Sequence, residues 1–159
     1  MTLSITGTDV CLAARELIGT PYLHQGRKAG MGIDCIGVPI VVADRLGLGN
    51  FDRLDYSKTP DGTLLDKIAE VCNSSVILSP GVLLVFKIKF VPQHCAIVSN
   101  YSRLLGKNTI SQNATYKESN TLGIIHAWDV VGKVVEHQLT SDWMNRIVGC
   151  YGFPGVKYD

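Results

Sequence analysis

Cys35 is the side chain of this sequence best placed to act as a nucleophile. It follows Asp34, a good helix N-cap, so the sequence predicts Cys35 in the first turn of a helix. Unpaired amide N–H groups and the helix dipole concentrate positive partial charge there, and this field stabilises a thiolate. Gly37, two residues later, is predicted to leave room for a substrate backbone. The segment 32–37 therefore indicates covalent catalysis by a cysteine.

Two histidines are candidates for the groups that activate this thiol. His94 is predicted to open a β-strand, where its ring has a fixed direction and can be aimed at a helix terminus packed on the sheet. His126 is a polar residue in an otherwise apolar strand. If the two strands are neighbours, His126 can hydrogen-bond His94 and fix its tautomer, which is the orienting role in a catalytic triad.

Each of these residues also has a structural interpretation. A lone cysteine near a helix start is more often a small buried hydrophobe, and on local sequence alone packing is favoured over catalysis. A lone strand histidine is likewise more often structural. His24 precedes Cys35 in a loop and is a candidate for lining the site, whereas His137 is predicted to face solvent or a partner. Burial in the core is expected for Cys11, Cys72 and Cys150.

The elements that must hold these side chains fall into helices first and strands second. Apolar spacing predicts helices over residues 8–18, 35–46 and 61–72, the first capped by Thr8 or Asp9. Strands are predicted over residues 82–90, 94–99, 123–127 and 133–138, with a turn at 129–132 and a helical turn plus last strand within 143–153. This order predicts an α+β fold in which helices pack on one side of an antiparallel sheet.

Length and composition limit the class of protein. A chain of 159 residues fits a single domain spanning residues 1–159. Its net charge of +1 gives no electrostatic case for nucleic acid or for an anionic membrane surface. No apolar run reaches the roughly 18 residues that span a bilayer. Residues 1–10 lack the features of a secretory signal, so we expect synthesis in a cytoplasm.

The five cysteines do not suggest a metal site or a disulfide framework. Their number is odd and no pair has C-x-x-C spacing, so neither bridges nor a zinc knuckle are expected, and no cofactor is implied. Metal binding through His94, Cys95 and His126 is a poor alternative.

Several motifs occur together in one order along the chain. They are 19–22 (Gly-Thr-Pro-Tyr), 34–37 (Asp-Cys-Ile-Gly), 80–86 (Pro-Gly-Val-Leu-Leu-Val-Phe), 94–97 (His-Cys-Ala-Ile), 125–127 (Ile-His-Ala) and the ending 146–154. This ordered set resembles the NlpC/P60-type cell-wall cysteine peptidases, in particular the compact versions carried in phage tails. The likeness covers nearly the whole chain; each motif alone is weak.

The resemblance implies a fold, an activity and roles for particular residues. The fold would be papain-like, and the activity would be hydrolysis of peptidoglycan stem peptides, usually between D-glutamate and a diamino acid. Cys35 would be the nucleophile, His94 the general base and His126 the orienting residue. Tyr22 would shape the site near the oxyanion, together with Asp34. The backbone N–H of Cys35 is a further candidate oxyanion donor.

The same resemblance sets expectations for location and partners. The protein would sit in a virion tail, alongside other phage tail proteins, and act on peptidoglycan at the host cell wall. The main alternative keeps the fold without the chemistry, as a non-catalytic structural or assembly component of a phage tail tip. A further alternative is acyl transfer or amidase chemistry by the same residues.

Three departures from the family pattern stand out. Cys95 and Ala96 replace the usual residues after the histidine, and strand alternation predicts Cys95 in the core on the face opposite His94. Pro39 lies past the first helical turn, so it removes one helix hydrogen bond at the carbonyl of Cys35 and predicts a bent or loosely wound helix start. The stretch 101–123 is longer than a tight hairpin needs, and a strand is predicted near residues 109–110.

Overall fold

The computed structural model describes residues 3–74, 77–101 and 121–158. The helices in these ranges are α1 (Gly7–Arg15), α2 (Gly37–Arg45), α3 (Leu64–Ala69) and α4 (Ser141–Met144). The strands are β1 (Arg27–Lys28), β2 (Gly32–Ile33), β3 (Asn73–Ser74), β4 (Leu83–Ile88), β5 (Val91–Ser99), β6 (Gly123–Trp128), β7 (Lys133–Gln138) and β8 (Ile147–Gly152).

Six strands form one antiparallel sheet in the order β3-β8-β4-β5-β6-β7, and β1 pairs with β2 in a separate ribbon. Helices α1, α2 and α3 contribute Val10, Val42 and Ile68 to a core on one face of the sheet. A second apolar cluster, with Leu84 and Trp143 among its members, covers the other face. The expected α+β class is therefore confirmed.

The first helix begins earlier than its sequence pattern predicts. Thr6 is its N-cap, because the Thr6 hydroxyl accepts from the Asp9 amide at 3.3 Å while the Asp9 carboxylate accepts from the Thr6 amide at 2.8 Å. The cap assignment to Thr8 or Asp9 was wrong by two or three residues, since Asp9 is the reciprocal partner in a capping box. The helix ends at Arg15 rather than at residue 18.

The second helix has an irregular start. Cys35 and Ile36 form a turn, and regular helix begins only at Gly37. The Val38 amide already donates to the Asp34 carbonyl at 3.2 Å, which is a helical bond, but the next amide in the series is missing because residue 39 is proline. This loosely wound start agrees with the expectation drawn from Pro39.

Strand positions follow the sequence pattern more closely than helix ends do. The β7 bounds coincide with the predicted strand, and β6 extends it by one residue. β5 begins at Val91, so His94 lies inside the strand rather than opening it. The two-residue strands β1, β2 and β3 were not predicted, because two residues carry no readable period. The strand predicted near residues 109–110 lies outside the described residues, as does most of the stretch 101–123.

None of the helices in the described ranges has the length and apolar character that crossing a membrane requires.

Candidate active site

A groove of about 480 Å³ opens at the start of α2. Cys35 and His94 both line it. Aromatic side chains surround them, namely Tyr22, Tyr56, Trp128 and Trp143. The groove therefore holds the predicted nucleophile and the predicted base together, at a concave surface that could receive a ligand.

The Cys35 thiol is buried and strongly perturbed. Its exposed fraction is 8%, and its Sγ atom lies 4.0 Å from the Gln93 carbonyl oxygen. The pKa of this thiol lies well below its ordinary value, chiefly because the Cys95 thiol hydrogen-bonds to it. A hydrogen bond with the His94 ring and the charge of that ring lower the pKa further, against opposition from burial and from the charge of Asp34. Cys35 is thus set up to ionise in contact with an imidazole.

Cys95 lies directly beneath Cys35. It is in the core as expected, on the face that the helices cover, and is 1% exposed. Its Sγ donates to the Cys35 carbonyl at 2.8 Å, taking the place of the amide that Pro39 does not have. The pKa of Cys95 is raised well above its ordinary value, first by its hydrogen bond with Cys35 and then by burial. Cys95 therefore stays protonated while Cys35 ionises, and its single hydrogen is shared between the Cys35 carbonyl oxygen and the Cys35 sulfur.

Asp34 holds the segment before the helix. Its carboxylate accepts hydrogen bonds from the Gln25 amide and the Tyr56 hydroxyl at 2.7 Å each. The other oxygen accepts from the Gly37 amide at 2.7 Å and from the Arg27 guanidinium at 3.1 Å. Asp34 thus caps the turn formed by Cys35 and Ile36, but it is not the N-cap of the regular helix as predicted, since that position is Ile36. Asp34 is 1% exposed. With four donors already bound, this carboxylate is better suited to fixing Cys35 in place than to contacting a substrate.

Tyr22 and His24 both lie beside the groove. Tyr22 is half-buried, and its pKa is raised by burial and then by the charges of Cys35 and Asp34. Tyr22 lines the same groove as Cys35. His24 lines the groove as expected, with its Nδ1 atom 3.8 Å from an Asp34 oxygen and its ring edge against Tyr56.

His94 and His126 meet where two strands separate. The ladder between β5 and β6 contains three residue pairs, which end at Ile97 opposite Ile125. The pairing stops there, and His94 Nε2 lies 2.6 Å from His126 Nδ1. His126 is fully buried, and burial lowers its pKa to about 2, with smaller contributions from the charges of His94 and His137. It is therefore a neutral partner of His94.

Several solved structures share this arrangement of helices and strands. The NlpC/P60 domain of the peptidoglycan hydrolase SagA is 17% identical, with a TM-score of 0.58 over 94% of this chain and 100% of that one. An NlpC/P60 family protein from Bacillus cereus is 18% identical, with a TM-score of 0.57 over 95% of this chain and 41% of that one. An N-acetylmuramoyl-L-alanine amidase from Bacteroides uniformis is 12% identical, with a TM-score of 0.51 over 91% and 96%.

This chain has the NlpC/P60 fold. The expected papain-like architecture is thereby confirmed, while identities below 20% establish the fold alone. This chain spans less than half the length of the Bacillus cereus protein. No protein-family model and no curated protein matches the sequence.

Within this NlpC/P60 fold, His137 is a site residue that sequence reasoning missed. It was predicted to face solvent or a partner, but its Nε2 atom lies 2.8 Å from Nε2 of His126. Register could have shown this. The turn at 129–132 pairs His126 with Val135 and Ile124 with His137, which puts both histidines on one face of the β6–β7 hairpin.

Trp128 and Trp143 are two further residues that the sequence did not single out. Trp128 stacks on His126 with ring centroids 5.4 Å apart. Trp143 contacts His94, His126 and His137, with centroid distances of 5.8, 5.1 and 5.8 Å. Trp128 follows His126 on the same strand, but Trp143 comes from α4, and no local pattern indicates that contact.

Gly37 has a different role from the one predicted. It is buried, and a Cβ atom placed there would lie 2.5 Å from the Gly26 carbonyl oxygen and 2.7 Å from Ile33 Cγ1. The interpretation that Gly37 makes room for substrate was wrong, because the space it leaves is filled by the β1–β2 ribbon. The contact locks the start of α2 against that ribbon.

No group of three or more His, Cys, Asp or Glu side chains in the described ranges is arranged to hold a metal ion. Cys95 bonds to the Cys35 carbonyl on the helix-facing side, whereas His94 bonds to His126.

Proposed function

We propose that this chain is a cysteine peptidase that hydrolyses the stem peptides of bacterial peptidoglycan. The observation that carries the proposal is the contact of a thiol of lowered pKa with a buried, oriented imidazole inside a groove. Cys35 is the nucleophile, His94 the general base and acid, and His126 the residue that orients His94. Likeness to the peptidoglycan hydrolase SagA supports the choice of substrate class.

The proposed reaction has two steps, each using the same pair of residues. The Cys35 thiolate attacks the carbonyl carbon of the scissile bond, and the His94 imidazolium gives its proton to the leaving amine as the C–N bond breaks. Water then attacks the resulting thioester while His94 takes a proton from it, which releases the acid and restores the thiolate. The Cys35 backbone N–H and the Tyr22 hydroxyl are the proposed partners of the oxyanion.

The charge of the groove suits a peptide that carries carboxylates. Four basic residues line it, namely Arg53, Lys58, Lys67 and Arg146, against three acidic ones, Asp34, Asp61 and Asp129, so basic residues are only slightly in excess. The aromatic walls offer flat apolar contact to the extended backbone between those carboxylates. We propose the bond between D-glutamate and the diamino acid as the one that is cut, on the strength of the sequence resemblance.

The decisive experiment measures fragments released from purified sacculi by mass spectrometry. We expect the wild-type protein to release stem-peptide fragments and Cys35→Ala to release none, because the other two thiols that line the groove, Cys72 and Cys95, have raised pKa values and stay protonated. Cys11→Ala is the matched control, since Cys11 is a buried thiol of α1 that bonds to the Val98 carbonyl away from the groove. Full activity in Cys35→Ala would exclude the mechanism.

A reactivity measurement separates the enzyme from a non-catalytic tail component of the same fold. An alkylating probe near neutral pH should label Cys35 much faster than Cys11 or Cys72, because burial raises the pKa of each of these two thiols to about 11. Equal labelling rates together with no fragment release would favour the structural alternative.

Amidase chemistry is a second candidate, supported by the likeness to the Bacteroides uniformis enzyme. The same thiol and imidazole could cut the bond between the sugar lactyl group and the first L-alanine. The products decide between the two: an amidase releases complete stem peptides, whereas the proposed peptidase leaves dipeptides on the sugar.

We further propose that the protein works from a phage tail, at the host cell wall and alongside other tail proteins. The proposal rests on the resemblance of the 146–154 ending to the tail-associated branch. Detection of the chain in purified phage particles would support it, and its presence only in free cellular protein would contradict it.

A further inference from the structure

His137 ends a row of three imidazoles that runs across the sheet from the groove. His94 Nε2 lies 2.6 Å from His126 Nδ1, and His126 Nε2 lies 2.8 Å from His137 Nε2. The other nitrogen of His137, Nδ1, lies 2.9 Å from the backbone carbonyl oxygen of Gln138. We refer to these three rings and that carbonyl as the histidine chain.

The backbone carbonyl at the end of the histidine chain fixes which atom donates in each of its hydrogen bonds. A carbonyl oxygen only accepts, so Nδ1 of His137 must carry the hydrogen, and in the neutral ring Nε2 is then an acceptor. His126 must therefore donate from Nε2 and accept at Nδ1. His94 in turn donates from Nε2, which leaves its Nδ1 for the hydrogen bond with Cys35.

The reverse order of hydrogens would place lone pairs against each other. If Nδ1 of His137 were unprotonated, it would face the Gln138 carbonyl oxygen with no hydrogen between them. His126 alone does not select between its two tautomers, because either of its nitrogens can carry the hydrogen. The selection comes from the ring beyond it.

The side chains around the three rings hinder a water molecule from replacing His137 as the hydrogen-bond partner of His126. His126 is fully buried, Trp128 stacks on it, and Trp143 contacts all three rings. A His126 N–H without a partner would therefore be a buried unsatisfied donor, which is costly. In the opposite tautomer, neutral His126 carries its hydrogen on Nδ1 and donates to Nε2 of His94. His94 would then carry its own hydrogen on Nδ1 instead of Nε2.

We propose that His137 is a positioning residue that fixes the tautomer of His126, and through it that of His94, so that Nδ1 of His94 is the nitrogen presented to Cys35. For its effect on hydrolysis this inference rests on the proposed function. The tautomers themselves exist whether or not the protein cuts peptidoglycan, so they can be measured separately.

The direct test reads the tautomers by nitrogen-15 NMR in a Cys35→Ala background, where no thiolate holds a proton on His94. We expect hydrogen on Nε2 of His94 and His126 and on Nδ1 of His137. Adding His137→Leu should produce mixed tautomers at His94 and His126. Unchanged Nε2–H signals at both rings in that variant would overturn the proposal.

The second test measures Cys35 alkylation against pH in the protein that keeps the thiol. His137→Leu should lower the rate near pH 7 by about tenfold, because misoriented His94 stabilises the thiolate less well. His137→Gln should recover most of the rate, since its amide can accept from His126 and donate to the Gln138 carbonyl. Gln138→Leu is the matched control, because the acceptor there is the backbone.

The outcomes separate three explanations. An equal loss of rate in His137→Leu and His137→Gln would show that ring packing matters and the hydrogen bonds do not, which overturns the proposal. If His137→Leu does not fold, the NMR signals of His137→Gln provide the test instead. Hydrogen on Nδ1 of His94 in that variant would contradict the proposal. Expected tautomers and fast alkylation with no cutting of sacculi would refute the proposed function and leave this inference standing.

Discussion

The two partners of the active site are supported in opposite ways. Behind Cys35 lies a charged network, in which the buried Asp34 carboxylate binds four donors, including the Arg27 guanidinium at 3.1 Å. Behind His94 lies the histidine chain, which needs no full charge and ends on a backbone carbonyl. The first support uses charge to hold backbone segments together, whereas the second uses hydrogen-bond direction to hold a ring.

This difference predicts different consequences of damage. A buried charge that loses its partner destabilises the fold itself, because the remaining charge is poorly solvated. A neutral ring that loses its partner changes which nitrogen carries a hydrogen, and this alters reactivity with less effect on folding. Stability measurements should therefore report on the Asp34 side of the site, and reactivity measurements on the His94 side.

The largest expected effect on stability comes from Asp34→Ala. Arg27 keeps its second partner, Asp52, at 3.0 Å. The substitution nevertheless removes a buried acceptor that binds four donors, so the free energy of unfolding should fall by about 3–5 kcal/mol. Urea denaturation measures this value. Arg45→Ala is the control, because the Arg45–Glu16 pair has a similar distance, 2.8 Å, but is far more exposed, and should cost less than about 1 kcal/mol. Equal losses in the two variants would show that the buried network behind Cys35 contributes no more to stability than an exposed ion pair.

A loss of stability of intermediate size is expected when the pH is lowered. The pKa of His126 is lowered from 6.5 to about 2 in the folded chain, so below pH 6.5 the unfolded chain binds a proton that the folded chain does not. Stability is therefore lost as pH falls, by about 2 kcal/mol between neutral pH and pH 5 from this residue. His126→Phe keeps a ring of similar size and should remove that part of the pH dependence in urea denaturation. If the free energy of unfolding falls equally with pH in the wild-type protein and in His126→Phe, His126 is not the neutral group inferred here.

The smallest effect tests the link between Pro39 and Cys95. Cys95→Ala removes the donor to the Cys35 carbonyl and should cost about 1–2 kcal/mol, because the buried acceptor is left without a partner. In a Pro39→Ala background the restored amide can take its place, so the same substitution should cost about 1 kcal/mol less. Cys11→Ala, combined with Pro39→Ala, should show no such coupling. Additive losses for Cys95 and Pro39 would mean that the thiol is not a substitute donor.

The sequence could predict what is local and periodic. Strand alternation and turn residues placed β6 and β7 almost to the residue. Asp34 accepts from the Gly37 amide as a cap does, but regular helix begins two residues later than predicted, with Ile36 as its N-cap. The cap of α1 was misplaced because both Thr6 and Asp9 belong to it, and the capping box is recognised only when the pair is considered together.

What could not be predicted depends on contacts across the fold. Pro39 and Cys95 were each recognised as unusual, but nothing in a one-dimensional sequence shows that a thiol 56 positions away supplies the hydrogen bond that the proline removes. Trp143 reaches the rings from α4 for the same reason. His137 lay within reach of prediction, since the hairpin register alone places it beside His126.

The close contact at Gly37 limits how far the start of α2 can shift without disturbing the site. Its Cα atom faces the Gly26 carbonyl oxygen so closely that a single methyl group would sit 2.5 Å from it. Relief would require the α2 start or the ribbon to move by about 1 Å, and a displacement of that size between reacting atoms can reduce a rate by about a hundredfold. The alignment of sulfur and imidazole thus depends on a hydrogen atom where every other amino acid would place carbon.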